Sequence, residues 1–116
     1  MKKTKYELYI SGVISESQYE AAKNAANHVP NLDAMTSDQL KSFALMYRNP
    51  RPEEAVHMTG MAEPESAMEA AKLLAVYATN KKIAMENRAA GNIGVAIQHE
   101  DECDKIYDRL PENIKW

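Results

Sequence analysis

The run His99-Glu100-Asp101-Glu102-Cys103 is the densest group of side chains able to hold a metal or move a proton. His99 and Cys103 are four apart, so a helix would carry both on one face, with Glu100 following the histidine as in a zinc-protease helix. A cysteine stands where such a helix has its second histidine, no third ligand follows at a useful spacing, and His28 and His57 are isolated. The run therefore reads as a small core Cys103 beside a solvated His99, and no metal or other cofactor is expected. Nucleophilic catalysis would need a base held against the thiol, and His99 could supply it only from one turn away. The chain contains no G-x-S-x-G, phosphate-binding loop or dinucleotide fingerprint. Gly91-Asn92-Ile93-Gly94 has the spacing of an RNA-clamping loop but lacks its flanking strands and cations, so it reads as a helix end followed by a turn. An enzyme is not expected.

Polar residues set into an apolar pattern form a second group. Asn80 and Asn87 lie seven apart on the face that carries Leu73, Val76 and Tyr77, and Glu100 falls between Ala96 and Cys103 on the following segment. Buried polar groups must find partners, so these side chains are expected to hydrogen-bond one another and fix the register of two helices or of a homo-oligomer. The functional alternative is a small-ligand or metal site in the Glu100 region, lined by Tyr77, Asn80, Asn87, Arg88 and Glu100. Trp116, the only tryptophan, is expected to fold back as a lid; exposed, it would anchor a partner. Met58 and Met61, from a methionine-rich middle, are the other candidate partner contacts.

Helices must position these groups. Residues 4–28 read as a short helical hairpin broken at Gly12, and YELYISGVISESQYEAAK resembles the helix-Gly-Ile-Ser-acidic-Tyr hairpin found in many bacterial and phage proteins. Thr36 or Ser37 caps a helix with Leu40, Phe43, Ala44 and Tyr47 on one side, and Asn49-Pro50-Arg51-Pro52 breaks it before a short helix ending at Gly60. Middle helices thus occupy 37–60. Pro64 opens the longest element, acidic at its start and basic later, with Gly91 after its end; about 25 residues would span roughly 38 Å. Its stretch Ala70–Ala78 is apolar nearly all round and is expected to be a buried central helix. The last helix runs from about Asn92 to Pro111 with a stripe of Ile93, Ala96, Cys103, Tyr107 and Leu110, edged by Ile97 and Ile106. A short connection makes the two an antiparallel hairpin over 64–110, followed by a tail at 111–116. The segment NKKIAMENRAAGNIGVAIQHEDECDKIYDRLP is similar to a tetratricopeptide-type repeat in length, in the placing of Gly91 and Ala96, and in its closing proline. It departs from that pattern at Asn80, where a large aromatic belongs, and at Cys103; no second copy follows.

The expected fold is therefore all-α, one small domain over 1–116 with four to six helices, a long central helix and an antiparallel C-terminal hairpin. With 116 residues, 45 % apolar and 27 % charged, the chain has room for one core. Net charge is −3, and neither half concentrates cations, so nucleic acid is not an expected partner. Glu7 interrupts the residues after Lys2, Lys3 and Lys5, and Ala70–Ala78 is far too short to span a bilayer. One cysteine excludes an internal disulfide. A cytoplasmic protein away from membranes is expected. The functional expectation is a non-enzymatic interaction or structural module that self-associates or docks on a protein partner, of a kind that suits a virus- or mobile-element-encoded accessory or virion protein.

Overall fold

The computed structural model describes residues 29–116, in which every regular element is helical. The hairpin expected over 4–28 lies outside the described residues. A single 3-10 turn, Leu32–Ala34, leads into four α-helices: α1 (Ser37–Tyr47), α2 (Pro52–Thr59), α3 (Pro64–Ala89) and α4 (Ile93–Arg109). A second 3-10 turn, Glu112–Ile114, forms the tail.

Each boundary has a local cause. Thr36 and Gln39 form a reciprocal capping box at the start of α1, with Gln39 N donating to Thr36 Oγ1 at 3.3 Å and Thr36 N to Gln39 Oε1 at 2.9 Å. Pro52 occupies the first turn of α2, where its missing N–H costs nothing, and Gly60 ends that helix at φ 70°. Glu63 caps α3 by accepting from the backbone N–H groups of Glu65 (3.0 Å) and Ser66 (2.7 Å). Those bonds hold its carboxyl below the usual range; the link to Ser66 contributes most. At the other end, Gly91 at φ 86° lets its own N–H reach Arg88 O at 3.2 Å and Asn92 N–H reach Asn87 O at 2.8 Å. This is the two-bond glycine closure that satisfies a helix's last carbonyls and turns the chain back at once.

The long helix α3 packs against α1, α2 and α4. Ala67, Ala71 and Ala78 are fully buried along it, and these small side chains let three neighbours approach closely around Leu74 and Tyr77. Leu40 and Phe43 enter the same core from α1, Ala55 and Met58 from α2, and Cys103, Ile106 and Tyr107 from α4; the flanking segments add Leu32 and Ile114. Among the described residues, every buried side-chain nitrogen or oxygen has a hydrogen-bond partner.

The structure corrects three expectations here. Residues buried along α3 cover only about half of its circumference at 100° per residue, and Val76 sits in the middle of the remaining arc, 49 % exposed. Apolar character all round marked a helix with neighbours on several sides, not one enclosed. Ile93 is 44 % exposed, because it lies at the edge of the α4 arc centred on Cys103 and Leu110. Met58 is a core residue at 3 % exposure and cannot meet a partner, whereas Met61 is half-buried against the core.

Candidate functional site

The α3–α4 seam brings the expected polar residues into separate pairs. Arg88, in the last turns of α3, meets Glu100 with two parallel bonds, Nε to Oε2 at 3.1 Å and a terminal nitrogen to Oε1 at 2.5 Å. The guanidinium beside it pulls the Glu100 carboxyl below its usual range, and Arg88 is raised in turn. Asn87 donates to Ile83 O at 2.8 Å and accepts from Asn92 Nδ2 at 3.3 Å, so it turns back onto its own helix end. Asn80 donates to Val76 O at 2.9 Å, and its Oδ1 lies 2.8 Å from His99 Nδ1. With that oxygen as acceptor, His99 Nδ1 is the donor of this bond. His99 is thus a half-buried member of the seam, where the sequence reading has it solvated. Asn80, Asn87 and Glu100 do not converge; they close three separate links along the hairpin.

Tyr77 belongs to a different assembly. Its hydroxyl donates to Asp33 Oδ1 at 2.5 Å, and the other oxygen of that carboxylate accepts from Trp116 Nε1 at 3.0 Å. Lys81 Nζ approaches Asp33 Oδ1 at 3.6 Å. The indole of Trp116 stands edge-on to the rings of both Tyr77 and Tyr107, each at 5.0 Å between centroids. Tyr107 donates to the Trp116 backbone oxygen at 2.6 Å, while Lys115 lies 5.3 Å above the Tyr107 ring. Burial, with the Asp33 bond second, pushes Tyr77 far above its ordinary value; burial likewise pushes Tyr107 up to about 12. Trp116 is folded back and half-buried, so its ring is engaged within the chain. Sequence reading misses Asp33, since nothing local marks a residue that meets partners 44 and 83 positions away.

Neither assembly presents a nucleophile with its base. Cys103 is buried and its thiol donates weakly to Tyr77 O at 3.6 Å. Among the described residues, no group of three or more His, Cys, Asp or Glu side chains is placed to hold a metal ion. No helix among them is long and apolar enough to cross a membrane.

What the fold does leave open is a groove of about 390 Å³ between α1 and α3. Its floor and walls are Ala44, Leu45, Ala75 and Val76, with Thr79 at one side and the cations Arg48 and Lys72 at the rim. Leu45 is 58 % exposed there. The arrangement is suited to apolar docking with an acidic contact at its edge. Its components are legible as residues, but the amphipathic reading assigns Val76 to the core and passes over Leu45. Compared with protein-family models, curated proteins and solved structures, the chain matches none.

Proposed function

We propose that this chain is a non-enzymatic interaction module that self-associates through apolar helix surfaces. The observation that carries the reading is the α1–α3 groove, where Leu45 and Val76 remain open to solvent although neighbouring positions of the same helices are fully buried. A helical protein of this size that spends apolar residues on its surface gains from covering them. The paired seam residues support a structural role for the hairpin, because Arg88 and Glu100, which a ligand site would need, already satisfy each other. The buried thiol of Cys103 and the net charge of −3 fit a cytoplasmic setting without nucleic acid. A virion or mobile-element accessory protein would suit such a building unit.

Size-exclusion chromatography with light scattering tests this directly. The expected result is a mass above the 13.0 kDa protomer that rises with concentration, reflecting a dissociation constant between about 1 μM and about 1 mM. A protomer mass throughout that range would overturn self-association.

A further inference from the structure

The exposed side of α4 carries a pattern that matches the groove. Ile93, Ile97, Asp101, Asp104 and Asp108 follow at spacings of four, four, three and four, and all are exposed. At 100° per residue they form one stripe, apolar where the helix begins and acidic along the rest. The groove has the opposite charge at its rim: Val76 lies one turn from Lys72 on α3, with Arg48 on the α1 side. Neither cation makes an ion pair within the described part of the molecule.

We infer that the occupant of the α1–α3 groove is a second copy of this chain, which inserts the Ile93–Ile97 end of its α4 stripe between Leu45 and Val76 and sets Asp101 and Asp104 against Lys72 and Arg48. The registers agree. On both helices the apolar contact and the charge are one turn apart, about 6 Å between neighbouring side chains, so an antiparallel approach seats both pairs together. Charge also selects against the symmetric alternatives. A two-fold pairing of groove on groove would oppose Arg48 and Lys72 to themselves, and stripe on stripe would oppose three aspartates to three. The head-to-tail arrangement, groove against stripe, joins opposite signs. It uses two different surfaces, so each added copy leaves one groove and one stripe unoccupied, and association continues until a ring closes or a filament forms.

This inference rests on the self-association reading, and complementary mixing separates the two. Val76→Glu blocks the groove and leaves the stripe intact; Ile97→Lys blocks the stripe and leaves the groove intact. Both positions are exposed, and circular dichroism checks that the helices persist. Light scattering of the wild type is expected to give masses that rise with concentration and fall with added salt, while each variant alone gives 13.0 kDa. An equimolar mixture is expected to form a species of twice that mass and nothing larger, because the one intact groove and the one intact stripe cap each other. A variant that still assembles like wild type, or a mixture that stays at the protomer mass, overturns the head-to-tail inference while the wild-type oligomer upholds self-association. A wild type that is monomeric up to about 1 mM overturns both.

Discussion

Asp33 gathers more of the molecule than any residue of the hairpin seam. One carboxylate meets a tyrosine from the middle of α3, the indole at position 116 and the ammonium of Lys81. Tyr77→Phe removes the shortest of these bonds but leaves the ring, its packing and the remaining Asp33 partners in place. The expected cost is about 1 kcal/mol, seen as a lower urea midpoint at unchanged slope. Sequence reading finds the chemistry of Tyr77 and Trp116 but not their meeting point, because hydrogen bonds between residues 44 or 83 apart leave no periodicity. The same is true of His99 and Asn80, which look unrelated until two helices bring them to 2.8 Å. Arg88 and Glu100 flank Gly91 and are brought together by the antiparallel hairpin, whereas the sequence reading sets Glu100 against Asn80 and Asn87.

At the level of helices, what is written locally can be read locally. Pro64 at the head of α3, Gly91 beyond its end, Thr36 before α1 and Pro111 after α4 act on their own neighbours, and each falls where composition places it. The side a helix buries is a different matter, since it depends on which neighbours arrive. Val76 and Ile93 are as apolar as Leu74 and Ile106, yet only the latter two face the core. Glycine gives a direct test of the local rule. Gly91→Ala and Gly94→Ala add the same methyl group into open space three residues apart. At Gly91 the backbone is left-handed at φ 86°, so alanine should destabilise by about 1 kcal/mol. Gly94 lies inside the first turn of α4, so alanine there should stabilise by about 0.5 kcal/mol. Thermal denaturation followed by circular dichroism should show opposite shifts in Tm; shifts of the same sign would mean the turn is not closed as described.

For the molecule as a whole, the region where α3, α4, the Leu32–Ala34 turn and the tail meet sets the response to alkali. Tyr77 and Tyr107 are both buried, and burial raises both above the ordinary 10.0. A raised tyrosine keeps its proton in the folded state while the unfolded chain has already lost it. The associated stability is therefore fully present below about pH 10 and declines as pH rises from there, by about 1.4 kcal/mol per pH unit for each tyrosine. For Tyr107 the decline ends near its folded value of about 12, and for Tyr77 it continues beyond. Urea midpoints measured across that window should fall steadily, with the share of tyrosinate absorbance that belongs to these two rings appearing together with unfolding; a flat profile would mean that the two rings ionise freely while folded. The bond from Trp116 to Asp33 also has a consequence in time. The seam links join residues 5 to 19 positions apart, whereas this one spans 83, and the entropy of closing a loop grows with its length. During refolding the helices, their hairpin and the contact of Trp116 with nearby Tyr107 are free to form before Asp33 reaches the indole. The lone indole is then a late clock, whose emission settles only after the helical signal is complete.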